Sequence, residues 1–74
     1  MRFWSHPMLL ASLERELAAG HVGRVSCYAH GRRRWVRVFE QGPAARVLLE
    51  LPLSPRAAAL LEAAGVALQP VAPS

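Results

Sequence analysis

Residues 28 to 40, YAHGRRRWVRVFE, bring Arg32, Arg33, Arg34 and Arg37 together with Tyr28, Trp35 and Phe39. Arg24 precedes the stretch and Arg46 follows it. Guanidinium groups neutralise phosphates and aromatic rings stack on bases, so this mixture has the parts needed to hold RNA or single-stranded DNA. The same residue types are enriched where proteins bind one another, so a protein interface, including a homodimer, is the competing reading. A third reading is a small RNase, for which His21 and His30 are the candidates. A general base needs a positioned partner, and Glu14 and Glu16, two apart on a helix, do not face each other. No catalytic residue is therefore assigned, and the expected activity is non-catalytic binding.

Other chemistry is thin. Cys27 is the only cysteine, which excludes an internal disulfide. It lies three residues before His30, and on a strand the two point to opposite faces, whereas structural zinc needs a converging tetrahedral set. No metal site is expected, and Cys27 reads as a small core residue. With no Asp, no Thr and no glycine-rich phosphate loop, no cofactor and no small-molecule substrate is inferred.

Nine arginines against five glutamates give a formal charge of +4 and a pI near 11.1. Lys, Asp, Asn, Thr and Ile are absent. So narrow an alphabet suggests GC-rich coding in a bacterium and is compatible with a thermophile, so the number of arginines argues little. Their placement argues more: Arg24, Arg32, Arg33, Arg34 and Arg37 all fall between Glu16 and Glu40, with no acid among them. The 74 residues make one small domain, with residues 70–74 as a tail. Such a short chain hides only about 60% of its unfolded surface, and without disulfide or zinc a dimer is the remaining way to enlarge the core. The apolar run before Glu14 is too short for a signal peptide, and no stretch approaches the ~20 residues of a membrane span. A soluble, cytoplasmic protein with no membrane association is expected.

The elements that must position these residues are legible in outline. Ser5 or His6 before Pro7 starts a first helix over residues 7–19, whose leucines at 9 or 10, 13 and 17 share a face and which Gly20 stops. Phe3 and Trp4 could pack on its first turn. Residues 22–30, 33–40 and 45–51 read as strands, separated by a turn at His30-Gly31 and another at Gln41-Gly42-Pro43-Ala44. Ser54-Pro55 opens a second helix, with Ala57, Leu60, Leu61 and Ala64 on its apolar side and Gly65 at its end. Residues 66–69 are either a short fourth strand or part of a proline-containing tail.

The expected fold class is therefore α+β: α-β-β-β-α, a three-stranded antiparallel meander with both helices on one face. Turns centred on residues 30 and 31 and on Gly42 and Pro43 pair Val25 with Val36, Cys27 with Arg34, Gly23 with Val38, Val36 with Leu49 and Val38 with Val47. Cross-strand partners share a face. Val25, Cys27, Val36, Val38, Val47, Leu49 and Leu51 then form the helix-covered side. Arg24, Ser26, Tyr28, Arg33, Trp35, Arg37, Phe39, Arg46, Leu48 and Glu50 look outward, with Arg32 extending the basic strip at the hairpin tip.

This element order resembles that of double-stranded-RNA-binding domains and of the small mRNA-cleaving HicA-type toxins. The resemblance covers most of the chain, but in order only. The RNA-binding domains carry lysines at the start of the last helix, where SPRAAALLEAAG has Arg56 alone. The toxins carry a catalytic histidine beside a glycine on the first strand, where HVGRVSCYAH has Arg24 after Gly23. Element order alone does not carry function, so the sheet-face reading rests on the residues themselves.

Overall fold

The computed structural model describes residues 5–66 and, for the backbone, 68–70. Along the chain run α1 (His6–Ala18), β1 (Val22–His30), β2 (Arg33–Glu40), β3 (Val47–Pro52), α2 (Pro55–Ala63) and β4 (Leu68–Pro70). The expected contact of Phe3 and Trp4 with α1, and the tail over residues 71–74, lie outside the described residues.

Both helices are bounded by the same local chemistry. The Ser5 hydroxyl accepts the Met8 N–H at 3.4 Å, and the Ser54 hydroxyl accepts the Ala57 N–H at 3.2 Å, with a proline in each first turn. Gly20 and Gly65 follow the caps at φ +75 and +74. This left-handed turn folds the chain back, so that the His21 N–H reaches the Glu16 carbonyl and the Val66 N–H the Leu61 carbonyl. Each helix thus starts and stops where serine and glycine satisfy its orphan backbone groups.

The helices bury their apolar stripes on one side of the sheet. Leu10 and Leu13 of α1 and Ala57 and Leu61 of α2 meet Val25, Val36, Val38 and Leu51. No polar or charged residue is buried among the described residues. The α+β meander with two helices on its aliphatic face is thus the observed architecture.

The sheet order is β3-β2-β1-β4. β1–β2 and β2–β3 are antiparallel. β4 spans Leu68–Pro70 and lies parallel to β1 within the same chain. Of the two expectations for this region the strand is realised, and Pro70 is part of it. A proline is tolerated there because β4 is an edge strand.

Both antiparallel registers are displaced by two residues from the expected ones. Val25 faces Val38 and Cys27 faces Val36; Val36 faces Leu51 and Val38 faces Leu49. The cause at the first hairpin is its loop, Gly31-Arg32, in place of His30-Gly31. Its φ is positive only at the first position, glycine, as in a type II′ turn, whose twist suits a two-residue hairpin. A shift of two keeps every side chain on its face, so the face assignment survives the register error.

Two bulges do change faces. One falls between Val22 and Arg24. Gly23, expected opposite Val38, is the extra residue there, and an added Cβ would stand 2.9 Å from both Gln41 Cα and the Glu40 carbonyl oxygen. The other lies opposite the Val38–Phe39 step, where Phe39 pairs with Val47. Val47 is turned from the core to the outer side and is 47% exposed, while Leu48, expected outward, packs against the core. Cys27 and Leu49, on the aliphatic side, are half-buried rather than buried.

Candidate binding face

The outer side of the sheet is built in cross-strand rows. Pro52, Trp35 and Tyr28 form one row; Glu50, Arg37 and Ser26 form the next; Val47, Phe39 and Arg24 form the third. His30 and Arg33 pair at the hairpin end. Tyr28, Trp35, Arg37 and Phe39 are half-buried, whereas Arg24, Arg32 and Arg33 are exposed.

Six of the eight proposed contact residues, Arg24, Tyr28, Arg33, Trp35, Arg37 and Phe39, are therefore brought onto one face. Arg32 occupies the hairpin loop beside them. Arg46 departs from the expectation: it precedes β3 in the loop, where its N–H and carbonyl are taken by the Glu40 carboxylate (3.3 Å) and the Glu40 N–H (2.8 Å). The bulge gives its expected place on the sheet to Val47.

The face is not a row of free cations. The Arg24 guanidinium lies over the Phe39 ring at 4.4 Å from its centroid, and that of Arg37 lies over Tyr28 at 4.6 Å. Between the rows, one oxygen of Glu50 accepts from the Tyr28 hydroxyl at 2.5 Å and from Arg37 Nε at 3.0 Å. These bonds, Tyr28 first and Arg37 second, hold the Glu50 carboxyl below the usual carboxylate range. Desolvation, then the hydrogen bond to Glu50, raises the Tyr28 phenol. The hydrogen bond to Glu50 raises the Arg37 guanidinium above its already high value. Glu50 thus preorganises the middle of the face and locally cancels one of its positive charges. Among the described residues, no cation stacks on Trp35.

The sequence placed Glu50 on this face without a role. Its partner Arg37 becomes visible only with the correct register, because the expected pairing would set Arg37 opposite Leu48. A second pairing was also out of reach: His6 Nε2 lies 2.9 Å from Ser54 Oγ, joining the starts of α1 and α2 across 48 residues. The shared Ser and Pro at both helix starts was its one sequence signal.

The histidines considered for catalysis lie at opposite ends of β1. His21 precedes β1, with its Nδ1 2.7 Å from Glu16 Oε2; His30 ends β1 at its far side and is exposed. No group of three or more metal-ligating side chains occurs among the described residues. No helix among them is long and apolar enough to cross a membrane.

Comparison with known proteins finds no matching family model, no matching curated protein and no matching solved structure. What fold and face define is a class: a small α+β protein with a helix-covered aliphatic sheet side and an open arginine-aromatic side.

Proposed function

We propose that the chain binds single-stranded nucleic acid, RNA or DNA, through the outer face of its sheet. The observation that carries this reading is the alternation of rings and guanidinium groups on one open surface. Trp35 is the ring of this face without a stacked cation among the described residues, and it is where a base would lie. Base–aromatic stacking is worth about 1–3 kcal/mol and tolerates any base. Arg32 and Arg33, exposed beside it at the hairpin end, meet the phosphates. Arg24, lying over the Phe39 ring, can stack on a neighbouring base as well as neutralise charge, and Arg37, over Tyr28 with its charge held by Glu50, can stack.

The test is fluorescence titration in a Trp4→Phe background, so that Trp35 is the sole indole. Short single-stranded RNA and DNA should quench it, with affinity falling as salt rises. Trp35→Ala should weaken binding of a labelled oligonucleotide about tenfold with the fold intact.

A second reading, homodimerisation through the same face, is favoured by one observation. Val47, 47% exposed, adds an apolar side chain beside Phe39. Light scattering separates the two: a dimer dispersed by Trp35→Arg, with no oligonucleotide binding at low salt, would replace the nucleic-acid reading.

A further inference from the structure

A groove of about 640 Å³ opens at the hairpin end of the sheet, lined by His6, Arg33, Arg34, Pro52, Leu53 and Ser54. The Leu53 N–H, bonded to the Arg34 carbonyl at 2.9 Å, fixes its rim. None of the glutamates lines it.

The hydrogen bonds around Ser54 decide what the groove offers. Its hydroxyl accepts the Ala57 N–H at 3.2 Å and lies 2.9 Å from His6 Nε2. The other ring nitrogen of His6, Nδ1, is buried and has no partner among the described residues. A proton on Nδ1 would be an orphaned buried donor, which folded interiors avoid more strictly than an unfilled acceptor. This accounting puts the proton on Nε2, from which it is donated to Ser54. Both lone pairs of the hydroxyl are then used, and its own O–H is the group left to face the groove. With the exposed guanidinium groups of Arg33 and Arg34, the polar side chains at the groove supply donors and positive charge.

We infer that this groove takes the phosphorylated end of a nucleic-acid strand, an inference that rests on the sheet-face reading. Two guanidinium groups and a hydroxyl donor match a phosphate monoester, with its charge of about −1.5 to −2 and three acceptor oxygens, better than a singly charged internal diester. The volume is in the range, about 300–1,000 Å³, that holds a small organic ligand rather than a bare ion. Pro52 and Leu53 provide an apolar wall for sugar or base. The groove is also continuous with the face: Pro52 is the cross-strand partner of Trp35, and Arg33 precedes Trp35 by two residues on the same side. A terminal nucleotide stacked on Trp35 has its phosphate within reach of the groove.

The test compares three oligouridines, carrying a 5′-phosphate, a 3′-phosphate or hydroxyls at both ends, by Trp35 quenching in the Trp4→Phe protein. One phosphorylated form should bind about tenfold tighter than the hydroxyl form. Arg34→Gln should abolish that gain, and Arg15→Gln, the same charge change on α1, should leave it. Equal affinity for all three oligonucleotides, or a gain that survives Arg34→Gln, would overturn the strand-end inference and leave the sheet-face reading standing. Free uridine monophosphate competing as well as the phosphorylated oligonucleotide would reassign the groove to a mononucleotide and also overturn it. Failure of every oligonucleotide to bind would remove the sheet-face reading itself.

Discussion

Replacing Glu50 with glutamine isolates the one acidic group at the centre of the proposed face. In the native arrangement a single carboxylate oxygen holds both Tyr28 and Arg37. Glutamine keeps an acceptor oxygen for the tyrosine but removes the charge that neutralises Arg37, leaving one more cation free for phosphate. For single strands the salt dependence of binding scales as about −0.7 per phosphate contact. The Glu50→Gln protein should therefore bind more tightly at low salt, with a log–log salt slope steeper by about 0.7. A fourfold rise in salt should then shrink its advantage over the native chain by roughly threefold. Anisotropy of a labelled single-stranded RNA over a salt series measures both quantities, with circular dichroism confirming an unchanged fold. Weaker binding, or tighter binding at an unchanged slope, would refute the argument that Glu50 masks a phosphate-binding arginine.

Tyr28 is the only tyrosine, so phenolate absorbance reads the same network cleanly. Its midpoint should lie above that of a free phenol and fall in Glu50→Gln; an unchanged midpoint would show that Glu50 is not its partner in solution. Because Glu50 titrates low in the folded state, its contribution to stability is complete above the ordinary carboxylate range and is lost as pH falls through the lowered value. Because Tyr28 titrates high, its contribution is complete below the ordinary phenol value and is lost as pH rises through the raised one. Gly23→Ala sets a Cβ at 2.9 Å from backbone atoms of Glu40 and Gln41. It should destabilise the fold by about 1–3 kcal/mol, read as a melting shift of roughly 4–8 °C per kcal/mol; an unshifted melt would deny the bulge. Ser54→Ala removes a helix cap worth about 1 kcal/mol and the hydrogen-bond partner of His6, worth about 1 kcal/mol more. In urea unfolding it should cost more than Ser5→Ala, whose cap is exposed and longer at 3.4 Å, and equal costs would deny the His6–Ser54 bond.

The parts of this fold written in local sequence were readable, and those that depend on long-range register were not. Ser5, Ser54, Gly20 and Gly65 mark the helix ends because capping is a matter of neighbouring residues. β1 and β2 were bounded correctly by the glycine at the hairpin and the apolar alternation on either side. The displaced registers did not disturb the faces, since alternation repeats every two residues and the shift was also two. Bulges break that parity, and nothing local announces them: Gly23 looked like an ordinary strand glycine, and Val47 and Leu48 exchanged roles across the sheet. β4 stayed one of two alternatives because Pro70 argues against a strand, and its place beside β1 depends on the crossover through α2 rather than on its own composition. The candidate face was assembled from sequence almost intact. Its internal wiring, Glu50 to Tyr28 and Arg37, and the His6–Ser54 pair at the groove both required the tertiary structure.

If nucleic acid lies on the open side of the sheet, amide and indole chemical-shift mapping of the labelled protein will locate it there. Titration with a short single-stranded RNA should move the Trp35 indole N–H most. Shifts at Ser26, Tyr28, Arg33, Arg37 and Phe39 should accompany it, while the resonances of α1 and α2 beyond their first turns stay in place. Shifts concentrated along the helices, or none at an RNA concentration where the salt series predicts saturation, would contradict the claim.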